Sequence, residues 1–183
     1  MRSEIIFSDV LRVEPTIHSD ERGSFSEDYN YKEFSKIGIE DTFVQDNISL
    51  SLKRNTVRGM HFQLKPFSQS KLIKVLSGSI FDVFIDLRTQ SKTYEKYGSM
   101  TLSYGEGWLY IPEGFAHGFC TLEDNTSVLY KVNNIYNPDS DSGIIYDDNF
   151  FSINWPISRN QVILSEKDQN LSSWEEIKDK VEL

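Results

Sequence analysis

The chain has 183 residues, a formal net charge of −9 at pH 7 and a 13% aromatic share that favours strands. That length suits a single domain over residues 1–183, able to bury a core without disulfide or metal staples. The acidic balance excludes a broad nucleic-acid-binding face, so an anionic ligand has to be gripped by a few local cations, and Cys120 as the only cysteine excludes an internal disulfide or a thiolate zinc cluster.

Residues 1–10 carry Glu4 and Asp9 among their apolar side chains and lack a cleavable signal pattern, and no apolar run approaches membrane-spanning length. A cytoplasmic protein without membrane contact is the expectation. Further along, the pattern is one of many short strands, expected over 11–17, 24–29, 43–51, 57–64, 71–76, 79–87, 98–102, 107–111 and 127–133. The clearest is 79–87, where Phe81, Val83, Ile85 and Leu87 share one face and Asp82 and Asp86 the other, the period of a half-buried strand.

Turn residues at 105–107, 112–114 and 137–142 suit antiparallel connections, so an all-β sandwich or barrel is expected. Helix is confined to the periphery. One short helix is expected over 31–37, ended by Gly38, and a second over 174–181, opened by a capping box of Ser173 and Glu176.

Two residues on the strand 57–64 pose a geometrical problem. In a flat strand Arg58 and His61 point to opposite faces, because their separation is odd; a bulge at Gly59 would bring both to the same side. His61 is a candidate general base, since an imidazole is the side chain most often used for that task, although a lone strand histidine is more often packed than catalytic. Tyr130 shares a face with Val128 and Val132, and by pattern alone is a core tyrosine.

The segment Val57-Arg58-Gly59-Met60-His61-Phe62-Gln63, followed by Lys71-Leu72-Ile73, resembles the signature of the dTDP-4-dehydrorhamnose 3,5-epimerase family. Collinear matches occur at Asp20-Glu21-Arg22-Gly23, Phe43-Val44-Gln45-Asp46-Asn47, Ile111-Pro112-Glu113-Gly114-Phe115-Ala116-His117-Gly118-Phe119, Leu129-Tyr130-Lys131, Asn154-Trp155-Pro156 and Leu164-Ser165-Glu166-Lys167-Asp168. The likeness extends from about residue 7 to residue 168.

This resemblance implies a cupin-type antiparallel jelly roll, working without cofactor or metal, that epimerises C3, C5 or both of a nucleotide-linked 4-keto-6-deoxyhexose. It implies a homodimer whose N-terminal strands reach into the partner's site. Proton removal beside a ketone needs a base, an oxyanion stabiliser and an acid on the far face. The resemblance assigns these to His61 oriented by Asp168, to Lys71 and to Tyr130. It gives Arg22, Arg58 and Lys167 to the pyrophosphate, Glu27, Gln45 and Asn47 to the nucleotide and its surroundings, Phe25 and Tyr136 to the base, and His117 to the sugar pocket. Arg22, Phe25 and Glu27 would come from the neighbouring subunit.

Asp141 stands at the nucleotide site where the family usually has Glu, Ile135 stands where an aromatic often precedes Tyr136, and 50–56 is one residue longer than usual. Among other readings, a metal-dependent cupin is disfavoured because His18, His61 and His117 are the only histidines and none is paired as His-x-His. A single-position epimerase stays open. A 3,4-ketoisomerase and a silent sugar-nucleotide binder fit the set of His61, Lys71, Tyr130 and Asp168 less well.

Overall fold

The computed structural model describes residues 1–183. In chain order the strands are β1 (Arg2–Phe7), β2 (Val10–Glu14), β3 (Ile17–Asp20), β4 (Gly23–Ser26), β5 (Gln45–Ser51), β6 (Val57–Gln63), β7 (Lys71–Ser77), β8 (Ser79–Asp86), β9 (Tyr97–Ser103), β10 (Trp108–Ile111), β11 (Phe115–Thr121), β12 (Thr126–Val132) and β13 (Asp141–Gly143). Three short helices accompany them: α1 (Tyr31–Ser35), α2 (Glu166–Gln169) and α3 (Trp174–Ile177).

The strands form a six-stranded sheet, β1-β2-β10-β7-β12-β5, and a five-stranded sheet, β13-β6-β11-β8-β9, with β3 and β4 as a separate hairpin. Every pairing between these strands is antiparallel. Val10, Ile73, Val75, Leu109, Ile111 and Val128 from the first sheet interdigitate with Ile80, Phe84, Leu102, Phe115 and Phe119 from the second. This is the core of a jelly-roll barrel, the fold class expected from the strand pattern. Gly78 lets the chain cross between sheets from β7 to β8: its φ is +76°, and a Cβ there would meet Thr126 Oγ1 at 2.4 Å.

Both outer faces are also covered. Phe34 of α1 and Ile39 pack with Val13, Leu72 and Trp108 over one sheet, while Phe151 and Trp174 pack with Met60, Phe62, Val83, Ile85 and Leu87 over the other. The capping box of Ser173 and Glu176 opens α3 as expected, but the α-helix ends at Ile177 and gives way to a 3₁₀ turn at Lys178–Lys180.

This covering corrects the reading of β8. The strand is not half-buried: Val83 and Ile85 lie under the C-terminal arm, and Asp82 and Asp86, expected on a solvent face, are both 0% exposed. A central strand sheathed on both sides has no wet face, so its polar residues point into the barrel with Ile80 and Phe84.

Candidate active site

A cavity of about 500 Å³ opens between the two sheets. His61, Lys71, Tyr130 and Asp168 all line it, together with Gln45, Asn47, Arg58, His117, Tyr136, Asp141 and Lys167. Sequence separation hid most of this grouping, and the strand registers explain it.

On the six-stranded side, Val132 pairs with Gln45 on one flank and Lys71 on the other, and Tyr130 pairs with Asn47 and Ile73. These residues share the inner face, since Ile73 and Val128 belong to the core. The wall thus passes from apolar Val128 and Val75 to Tyr130, Lys71, Asn47 and Gln45. On the five-stranded side, His117 pairs with His61 but Phe119 pairs with Arg58, so β6 spends one more residue than β11 over this stretch. That bulge is at Gly59, as the odd spacing required, with φ +121° and only 2.6 Å from a built Cβ to Gly118 Cα. Met60 turns outward into the second core cluster, and Arg58 and His61 both face the cavity.

Asp168 is not the surface-loop acid its local sequence suggests. Ser165 caps α2 by accepting from the Asp168 N–H at 3.1 Å, and the buried Asp168 carboxylate meets His61 Nε2 at 2.7 Å. Burial pushes the Asp168 carboxyl up, but the His61 bond and charge, with the Gly59 and Ser165 hydrogen bonds, outweigh it and hold the group below the usual carboxylate range. It therefore stays ionised and fixes the imidazole from behind.

Lys71 is almost wholly enclosed. Burial pushes its ammonium down to about 8, against the pull of Asp141 and Asp82. Burial also raises the Tyr130 phenol above its ordinary value, against Arg58 and Lys167, so it remains a proton donor at neutral pH. Arg58 is braced by Nε donating to Ser51 Oγ at 3.1 Å and by a bond to the Leu50 carbonyl at 3.3 Å. Lys167 pairs with Asp141, which also accepts from Tyr136 Oη at 2.8 Å.

Three of the expected residues lie elsewhere. Arg22 sits at the β3–β4 turn, paired with Asp20 at 2.6 Å. Phe25 is 72% exposed on β4, and Glu27 accepts from Asn30 Nδ2. Within one chain this hairpin does not touch the cavity, whose lining includes none of the three. Residues not foreseen from sequence also line it or brace it: Asp82, which meets His117 Nε2 at 2.8 Å, and Gln63 and Gln69, whose amides donate to backbone carbonyls. A charged residue in an otherwise apolar strand is the available signal for Asp82, but the two-residue period alone puts it on a solvent face. Among the His, Cys, Asp and Glu side chains no group of three or more is arranged to hold a metal ion, and no helix is long and apolar enough to cross a membrane.

Comparison with known proteins agrees with this architecture. The sequence model of the dTDP-4-dehydrorhamnose 3,5-epimerase family matches residues 4–176. The enzyme of that name from Methanothermobacter thermautotrophicus is 47% identical over 161 residues, covering 86% of this chain and 85% of that one. The Bacillus anthracis dTDP-4-dehydrorhamnose 3,5-epimerase, solved with TDP and pyrophosphate bound, superposes with a TM-score of 0.87 at 42% identity, over 94% of this chain and 99% of that one. A Legionella pneumophila dTDP-6-deoxy-D-glucose-3,5-epimerase in complex with dTDP-4-keto-L-rhamnose gives 0.84 at 36% identity, over 95% and 94%. The chain belongs to the dTDP-4-dehydrorhamnose 3,5-epimerase family and is an isomerase.

Proposed function

We propose that the chain inverts both C3 and C5 of a dTDP-linked 4-keto-6-deoxyhexose, with His61 as base, Tyr130 as far-side acid and Lys71 as enolate stabiliser. One observation carries this reading: an imidazole on one sheet and a phenol on the other line a single cavity, with an ammonium on the phenol's wall. His61 removes the proton beside the ketone, the C–H electrons form the enolate, and its O4 charge develops against Lys71. Tyr130 returns a proton from the opposite face; solvent then reprotonates the phenolate and takes the proton from the imidazolium.

Arg58 and Lys167 hold the pyrophosphate, Tyr136 packs on the base, and His117 lines the sugar pocket. The charge-assisted grip is local, which reconciles an anionic ligand with a net charge of −9. Gln45, Asn47 and Asp141 sit where the nucleotide passes. Residues 1–183 act as one folding unit around a shared core, in the cytoplasm, without a cofactor.

Two copies complete the site. The β3–β4 hairpin leaves Phe25 and Ile17 exposed, and β5 turns Ile48 and Leu50 outward while Gln45, Asn47 and Ser49 face in. Apolar surface of that kind asks for a cover. In the homodimer, exchange of N-terminal strands lets the partner subunit's Arg22, the partner subunit's Phe25 and the partner subunit's Glu27 close the nucleotide end.

The test is to incubate the protein with dTDP-4-keto-6-deoxy-glucose in heavy water and locate deuterium by NMR. Label at both C3 and C5 is expected. Label at a single carbon would make it a mono-epimerase, and no label would overturn the substrate.

A further inference from the structure

Tyr136 lies between β12 and β13, outside any strand, yet the backbone around it is fixed residue by residue. Gln69 Nε2 donates to the Asn134 carbonyl at 2.7 Å. Gln63 Nε2 donates to the Ile135 carbonyl at 3.2 Å and to the Phe67 carbonyl at 2.6 Å, while its Oε1 accepts from the Asn137 N–H at 2.8 Å. Gln45 Oε1 accepts from the Tyr136 N–H at 3.0 Å. No backbone–backbone hydrogen bond joins 134–137 to the 65–70 loop beside it, so side-chain amides make the connection.

An amide suits this task because it offers a carbonyl acceptor and two N–H donors on one rigid plane. Gln63 is buried and uses both ends on backbone, so truncating it strands two carbonyls and one N–H. Gln45 is similarly committed, since its Nε2 donates to Asn47 Oδ1 at 2.8 Å. The Tyr136 phenol is tied separately, to Asp141 at 2.8 Å. Its ring is thus held from both ends while 52% of the residue remains exposed at the cavity mouth.

We propose that Gln63, with Gln45 and Gln69, is a positioning residue for nucleotide recognition: the three amides clamp residues 134–137 so that Tyr136 stands as a pre-formed platform for the base of the nucleoside diphosphate. This rests on the reading that Tyr136 packs on that base. It moves Gln45 from direct nucleotide contact to support of the platform. A preset aromatic surface spares the ligand the entropy of ordering a loop, and the gain appears in binding, not in the chemical step.

The experiment is a double-mutant cycle read by calorimetry with dTDP, with inorganic pyrophosphate as the probe of the phosphate end. Gln63→Met is expected to weaken dTDP by roughly 5- to 10-fold, to leave pyrophosphate affinity within about twofold, and to raise KM with little change in kcat. In a Tyr136→Ala background the same substitution should cost nothing further. Full additivity with Tyr136→Ala, or an equal loss for pyrophosphate, overturns the clamp. If Tyr136→Ala alone leaves dTDP affinity unchanged, the base-stacking reading fails first and takes the clamp with it. Should Gln63→Met unfold on a thermal melt, Gln69→Met carries the cycle, because it frees a single carbonyl; it is expected to give a smaller loss that also vanishes without the Tyr136 ring.

Discussion

Two histidine–carboxylate pairs face the same cavity, and their surroundings differ. His61 meets Asp168 at 2.7 Å with a third of its side chain open, and Asp168 arrives from α2, 107 residues away, with its carboxyl held below the ordinary range. His117 meets Asp82 at 2.8 Å with both side chains enclosed, and burial pushes the Asp82 carboxyl up. The chemistry of the pair is the same, so environment separates the roles. An open imidazole backed by a firmly ionised carboxylate can accept a substrate proton and be stabilised as it does so. An enclosed imidazole on a carboxylate that resists ionisation is suited to shaping a wall and tuning its neighbour Lys71, which feels Asp82 and Asp141.

The sharpest way to break this comparison is at the bases. His61→Ala is expected to reduce turnover by at least ~10²-fold while dTDP still binds, measured by coupled assay and calorimetry; unchanged turnover would remove His61 from the mechanism. Asp168→Asn comes next, with a loss on the order of 10²-fold, because the amide keeps the shape but neither carries the balancing charge nor selects the same tautomer.

Lys71 gives the third expectation. In the proposed role its ammonium has to be charged to oppose the enolate, and burial sets it at about 8 in the free protein, so the group is mostly charged at neutral pH and loses that charge as pH rises through that value. An alkaline fall in kcat/KM near that pH should result, and it should disappear in the residual activity of Lys71→Arg, whose guanidinium stays charged. A flat profile through that range would detach Lys71 from the rate.

How much of this was written in the sequence varies by element. Alternation revealed most strands to within a few residues, and the odd spacing of Arg58 and His61 pointed to the bulge at Gly59 that the register bears out. β1, β3, β11 and β13 escaped. β1 and β3 are largely exposed, β11 is buried along its whole length and β13 has only three residues, so none of them carries an alternating signal. The assignment of inside and outside failed where tertiary covering overrides local pattern. That happened on β8, where the aspartates point inward because both faces are sheathed; β5, for which no face was assigned, turns its apolar residues outward and lines the cavity with its polar ones. Asp168 could be placed only by resemblance, since its burial comes from α2 docking beside β6. The glutamine clamp was out of reach for the same reason: its bonds span from 4 to 91 residues of sequence.

The smallest expected effect bears on the enclosed pair. Asp82 has its pKa raised by burial, so folding disfavours its ionised form: the stability linked to it is full below its unfolded pKa and is lost as pH rises through the folded value. Asp82→Asn stays neutral at every pH, and its Oδ1 can still accept from the His117 N–H. The variant should therefore melt at the same temperature as the parent near pH 4 and at an equal or higher one near pH 7. Its activity should fall only a few-fold at neutral pH, because Lys71 loses one of its two attracting carboxylates, and the alkaline limb of kcat/KM should move to lower pH by up to about one unit. The other titratable groups that line the cavity with Lys71, namely Arg58, His61, His117, Tyr130, Tyr136, Asp141, Lys167 and Asp168, stay in place, so the displacement reports the loss of the Asp82 charge. A loss as large as that of Asp168→Asn would mean that the enclosed pair also takes part in proton transfer, and the distinction between the two pairs would fall.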